Sequence, residues 1–330
     1  MMRLPRFQYF GPRDLKEAAQ ILSDWGPQAS VVAGGTDLFP NMKRRQQTPT
    51  RVIGLRAIAA LHGVSGDAKT GLTLGAMTSL TRIENHGAIA LAWPALATAA
   101  NLISTPPLRN MGTIGGNLCL DTRCNYYDQN YEWRKGIDFC LKKDGDTCWV
   151  APGSKRCWAV ASSDTAPVLC AIGAEVSLVS KDGERRIPVY QLFNDDGIEY
   201  LTKRADEILT AVHLPAQDGR TRAVYWKLRR RGSFDFPVLG VAAAVRLGAH
   251  DVVEQATLVI TGTGSRPFSA QAAAAKLVGC KLTDENALRE VAAEAAKLAK
   301  PLDNTDFVMG WRKEMARHYV VGALKGLAKA

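Results

Sequence analysis

The chain has 330 residues, 46% of them hydrophobic and 22% charged, with 42 Lys and Arg against 32 Asp and Glu. That composition suits a folded protein of two or three domains. No run approaches the ~18 apolar residues of a membrane-crossing helix. The N-terminus shows no apolar secretory stretch, so a cytoplasmic chain with reduced thiols is expected. The excess of ten positive charges suits an anionic cofactor or an acidic protein partner. Its Lys and Arg are dispersed apart from Lys43-Arg44-Arg45 and residues 227–231, so no nucleic-acid partner is expected.

In chain order, Phe7–Phe10 is a short apolar run closed by Gly11-Pro12. Asp14 reads as a cap for a helix carrying Leu15, Ala18, Ala19 and Leu22 at helical spacing. Ser30–Ala33 and Arg51–Leu55 read as strands, giving a small strand–helix–strand unit. The first strand runs into Ala33-Gly34-Gly35-Thr36-Asp37-Leu38. Paired glycines let backbone approach a ligand, and successive amides form an anion nest. The stretch therefore reads as a diphosphate cradle or as an ordinary tight turn. It is not G-x-G-x-x-G, so the Rossmann fingerprint does not apply.

Leu72–Ala76 is strand-like, Thr78–Glu84 opens a helix, and Ile89–Ile103 is helical with a kink or restart at Pro94. A second glycine loop follows, Asn110-Met111-Gly112-Thr113-Ile114-Gly115-Gly116-Asn117-Leu118. Two such loops in one chain suit a single extended anionic ligand.

The second loop leads directly into Cys119–Cys157, which holds five of the seven cysteines. Cys124, Cys140, Cys148 and Cys157 have the spacing C-x15-C-x7-C-x8-C. Disulfides suit secreted chains, structural zinc usually uses a C-x-x-C pair, and a [4Fe–4S] cube takes four thiolates. Composition and spacing leave all three open, together with plain buried thiols. The segment is long and irregular but rich in Tyr and Trp, which argues against disorder.

Beyond it, Ser162–Pro167 caps a helix reaching Ile172, with Asp164 either its cap or a ligand. Ala174–Val179, Ile187–Leu192 and Ile208–Leu214 read as strands, and Pro215–Thr221 as a boundary. Val224–Leu228, Phe236–Arg246 and Val252–Ile260 read as a meander. A helix from Asp284 and a closing helix Trp311–Leu327 follow. Strands then helices make an α+β domain. The scattered histidines suggest no triad, and His213 and His318 read as structural. No residue is assigned a catalytic role.

The two glycine loops, Ser163–Pro167 and the strand holding Lys227 resemble the flavin-binding medium subunits of the xanthine oxidase family of molybdenum hydroxylases, over essentially the whole chain. The resemblance implies an α+β fold: a two-part FAD-binding domain of vanillyl-alcohol-oxidase type, then a C-terminal domain of antiparallel strands and helices. It divides the chain into residues 1–57, 58–217 and 218–330, with an insert at 121–158. It implies FAD contacts from Val32, Ala33, Gly34, Gly35, Thr36, Asp37 and Leu38, and from Gly112, Thr113, Ile114, Gly115 and Gly116. Asn125, Asp164 and Lys227 are implied as further contacts.

The insert is similar to that of the 4-hydroxybenzoyl-CoA reductase branch of that family. This implies that Cys124, Cys140, Cys148 and Cys157 bind one [4Fe–4S] cluster, leaving Cys119, Cys170 and Cys280 structural. It further implies electrons arriving from ferredoxin and passing through cluster and FAD to a [2Fe–2S] small subunit and a molybdopterin-binding large subunit. The assembly would be a homodimer of heterotrimers. Two alternatives stand beside it: the FAD subunit of an oxidative molybdenum hydroxylase, and a zinc-stabilised flavin-binding module without electron transfer.

Overall fold

The computed structural model describes residues 2–329, which form three sheets. The first contains β1 (Gln8–Phe10), β2 (Ala29–Val32) and β3 (Arg51–Gly54), all parallel in the order β1-β3-β2. Its crossover helix, Leu15–Trp25, starts where Asp14 accepts the Glu17 amide at 2.8 Å. That bond satisfies one of the orphan donors of the first turn. Ala18, Ala19 and Leu22 then turn inward, as their spacing predicts.

The second sheet is antiparallel. It is built from β4 (Val64–Asp67), β5 (Gly71–Gly75), β6 (Glu175–Ser180), β7 (Gly183–Pro188) and β8 (Ile208–Leu214), in the order β4-β5-β8-β6-β7. Between β5 and β6 lie the helices, the second glycine loop and the cysteine segment. The Ala-rich stretch divides into helices Gly87–Ala92 and Pro94–Asn101. Pro94 is the restart point because it has no amide to donate and is suited to a first helical turn. His213 on β8 sits between the Thr73 and Ser177 hydroxyls, 3.0 Å from each, a structural role.

The third sheet, β12-β11-β10-β9, contains β9 (Thr221–Leu228), β10 (Leu239–Leu247), β11 (Val253–Thr261) and β12 (Phe268–Ser269). Side chains alternate between faces of a strand, and here both faces are buried. Ala242 and Ala244 of β10 enter the core of the preceding domain. Val241, Ala243 and Val245 enter the core made with helices Glu285–Ala295 and Met309–Leu327. On β9, Tyr225 faces the first core, while Trp226 meets Tyr319 of the last helix edge-on at 6.0 Å. The buried Val and Leu of β10, each worth about 1.5–3 kcal/mol, hold the sheet to the C-terminal helices, while Tyr225, Ala242, Ala244 and Val259 make its contact with the preceding domain.

Several local expectations need correction. Ile187–Leu192 is not one strand: β7 ends at Pro188 and a 3-10 turn covers Val189–Leu192. Phe236 lies outside β10, which begins only at Leu239, after Pro237. The Gly115-Gly116 pair lies in a short helix, Ile114–Leu118, rather than in a loop.

Candidate functional site

The two glycine segments meet. A Cβ on Gly34 would stand 1.9 Å from the Met111 carbonyl oxygen, and one on Gly115 2.8 Å from the Ala76 Cβ. Gly35 has φ +73°, a conformation glycine adopts without cost. Together the segments wall a cleft of about 420 Å³, within the range of cofactor sites. Val32, Ala33, Gly34, Gly35, Thr36, Asp37 and Leu38 all line it, as do Gly112, Thr113, Gly115 and Gly116. Ile114 does not: it is fully buried in the core beneath.

The segments differ in the donors they offer. The Ile114, Gly115 and Gly116 amides are already bonded, to the Thr78 carbonyl, the Ala76 carbonyl and the Thr113 hydroxyl respectively. Among the described residues, the amides of Gly34 through Asp37 have no acceptor within the chain. Four successive free amides around two glycines fit an anionic group such as a diphosphate. The first segment thus supplies donors and the second a close-packed wall.

Sequence reasoning missed the opposite wall, Tyr200–Leu201, Lys203, Ala205 and Glu207–Leu209, together with Asn117 and Phe236. The wall carries no glycine motif, and its place is set by pairing of β8 with β5 and β6. Cys119, read as structural, also lines the cleft, with burial pushing its thiol upward.

Asn125, Asp164 and Lys227 lie outside that lining. Asn125 is exposed, and its amide donates to the Asn304 carbonyl at 2.8 Å. Asp164 precedes helix Thr165–Ala171 without capping it through its side chain. Its carboxylate instead accepts from Tyr225 (2.7 Å) and Lys227 (2.9 Å). Burial pushes the Asp164 carboxyl upward, while Lys227 and Tyr225 pull against it.

A second, smaller cavity lies in the insert. Cys124, Cys140, Cys148 and Cys157 all line it, all buried and none in a disulfide. Burial pushes the Cys124 thiol up to about 12 and that of Cys157 up to about 11; neighbouring cysteines add to both shifts. Backbone approaches closely here: a Cβ on Gly197 would lie 2.6 Å from the Cys157 sulfur. Among the described residues, no group of three or more His, Cys, Asp or Glu side chains stands ready to hold a metal ion. A single zinc would require sulfurs about 2.3 Å from one point. Four free thiols lining one cavity are a donor set that either zinc or a [4Fe–4S] cube takes.

The insert is anchored on both sides. Its short helix, Tyr131–Gly136, is capped by Asn130. The buried Arg134 guanidinium donates to the Arg44 and Arg45 carbonyls, at 3.3 and 3.0 Å. Arg123 pairs with Asp37 and Asp128, and Asn304 donates to the Trp158 carbonyl at 2.7 Å.

This fold and cleft define a subunit built to hold an extended anionic cofactor. The sequence matches the family described as "FAD binding domain in molybdopterin dehydrogenase" over residues 5–217, and "CO dehydrogenase flavoprotein C-terminal domain" over 223–327. The chain belongs to this family, as an FAD-binding oxidoreductase subunit of the molybdenum hydroxylases. It is 28% identical over 281 residues to the nicotinate dehydrogenase FAD-subunit of Eubacterium barkeri, covering 84% of this chain and 82% of the relative. It is 26% identical over 320 residues to the carbon monoxide dehydrogenase medium chain of Hydrogenophaga pseudoflava, covering 97% and 96%. The structure of Cu,Mo-CO dehydrogenase in its cyanide-inactivated form superposes with a TM-score of 0.81 at 24% identity, covering both chains fully. That confirms the α+β fold. No helix among the described residues is long and apolar enough to cross a membrane.

Proposed function

We propose that this chain is the electron-transfer subunit of a cytoplasmic, molybdenum-containing 4-hydroxybenzoyl-CoA reductase of aromatic degradation, fed by ferredoxin. In that enzyme the phenolic hydroxyl is removed to give benzoyl-CoA, on a partner subunit. The observation that carries the reading is the convergence of Cys124, Cys140, Cys148 and Cys157 on one buried cavity beside a flavin cleft. When bound, FAD supplies one- and two-electron chemistry and a [4Fe–4S] cluster one-electron chemistry.

The chain's own residues supply the binding. The free amides of Gly34–Asp37 would take the FAD diphosphate, and Thr113, Gly115 and Gly116 would exclude water from its other side. Asp164 and Lys227 would brace the cleft from behind rather than line it: Lys227 also donates to the Leu102 carbonyl, next to Ile103 and Ser104 of the wall. The partners would be a molybdopterin-binding large subunit and a [2Fe–2S] small subunit, in a homodimer of heterotrimers.

A second reading, the FAD subunit of an oxidative hydroxylase, is favoured by relatives whose names denote dehydrogenases. The assembled complex separates the two. Benzoyl-CoA formed from 4-hydroxybenzoyl-CoA and reduced ferredoxin supports the reductase. Hydroxylation of an aromatic substrate with an oxidised acceptor, and no dehydroxylation, supports the hydroxylase.

A further inference from the structure

The two cavities share a wall one ion pair thick. Asp121 lines the flavin cleft and Lys142 lines the four-thiol cavity. The Lys142 ammonium donates to Asp121 Oδ1 at 2.8 Å, and the two side chains are only 6% and 5% exposed. The same ammonium donates to the Thr122 hydroxyl at 2.8 Å and to the Gly197 carbonyl. It also stands 4.8 Å from the ring centre of Tyr127 and 5.4 Å from that of Tyr200. Tyr127 belongs to the thiol cavity and Tyr200 to the cleft. The other Asp121 oxygen accepts from Tyr127 at 2.9 Å and from Gln47 at 3.0 Å. Lys142 and Asp121 thus carry polar contacts to both cavities at this point of the wall.

A buried charge is costly unless paired, and its field falls off slowly where water is excluded. Lys142 meets both conditions. A fixed cation at the edge of a cavity stabilises whichever state of its occupant carries more negative charge, which for a redox group is the reduced one.

We propose that Lys142 and Asp121 form an electrostatic link between the two cavities, a fixed cation and its counter-charge that set the reduction potential of an iron–sulfur group held by the four thiols. This rests on the reading of Cys124, Cys140, Cys148 and Cys157 as cluster ligands. Neither residue exchanges a proton or an electron; both are positioning residues that act through their charge. The two charges pull in opposite directions, so removing them one at a time has opposite signs.

The experiment is a potentiometric titration of the anaerobically purified full chain, followed by electron paramagnetic resonance at fixed pH. Iron, acid-labile sulfide and flavin are quantified first. Lys142→Met is expected to disfavour reduction at least tenfold, a fall of about 59 mV or more for one electron. Asp121→Asn is expected to raise the potential, and Lys142→Arg, which keeps the charge, to stay within threefold of wild type. If Lys142→Met loses its iron, a raised potential in Asp121→Asn beside an unshifted one in Lys142→Arg decides. Iron-loaded Lys142→Met and Asp121→Asn whose potentials stay at the wild-type value, or move in the same direction, overturn the link alone. A wild-type chain without iron and sulfide overturns the reading beneath it as well.

Discussion

Lys227 of β9 places its ammonium 2.9 Å from Asp164 Oδ2, with the two side chains 0% and 3% exposed. The bond joins the C-terminal sheet to the helix Thr165–Ala171, and Tyr225, two residues earlier on the same strand face, donates to the other oxygen at 2.7 Å. The two halves of the protein are thus pinned by a buried charge pair as well as by apolar packing. Replacing Lys227 by Met would leave the Asp164 carboxylate buried with only a phenol as partner. The expected loss is about 3–5 kcal/mol at neutral pH, read as a lower urea midpoint. The double variant Lys227→Met/Asp164→Leu should recover much of it. A single variant as stable as wild type would show that the pair contributes nothing.

Gly34 is the position at which the glycine segments touch. With the Met111 carbonyl 1.9 Å from where a Cβ would sit, Gly34→Ala must push the segments apart and open the cleft. Purified Gly34→Ala should contain little flavin by absorbance per chain. Gly116→Ala meets only the Thr113 hydroxyl at 3.1 Å and the Ala33 Cβ at 3.7 Å, and should be markedly milder. Full flavin content in Gly34→Ala would mean that the cradle has been misplaced.

Glu207 gives the acid limb of stability a defined origin. Its carboxylate accepts from Arg185 at 2.6 and 2.9 Å and from the Arg204 amide at 2.7 Å. The Arg185 bonds hold it below the usual glutamate range, against the opposing effect of burial. The unfolded chain therefore binds this proton more readily. The stabilisation is complete above the ordinary glutamate value of about 4.3, and it is lost as pH falls through the depressed native value. Glu207→Gln should lower stability at neutral pH and flatten its decline into acid. An unchanged slope in denaturation curves as pH falls below the ordinary glutamate value of about 4.3 would remove Glu207 as the cause.

Much of the frame was legible from local chemistry. Asp14 and Asp284 both cap the helices they precede, and the apolar runs of β2, β3 and β8 are strands because their residues pack on both sides. Both glycine segments stood out in the sequence, but the first alone read equally as an ordinary tight turn, and that the two wall one cleft is set by tertiary contact. What escaped depends on distant partners. Nothing near Asp164 announces that its carboxylate leaves its own helix for β9, 61 and 63 residues on. Tyr200 and Lys203 became cleft residues only through sheet pairing. Phe236 looked like strand, yet it remains in the approach to β10 and lines the cleft, stacked by Arg123 at 4.4 Å. The four cysteines were visible from the start, but their convergence belongs to tertiary structure alone.

The central claim, that this subunit carries an iron–sulfur cluster beside its flavin, is tested most directly by metal analysis of the anaerobically purified chain and of its Cys140→Ser variant. The wild type should contain about four iron and four acid-labile sulfide with one FAD. Cys140→Ser should lose or convert the cluster and keep its flavin, since Cys140 lies outside the cleft lining. Zinc without sulfide, or a wild-type chain replete in FAD but free of iron, would contradict the account.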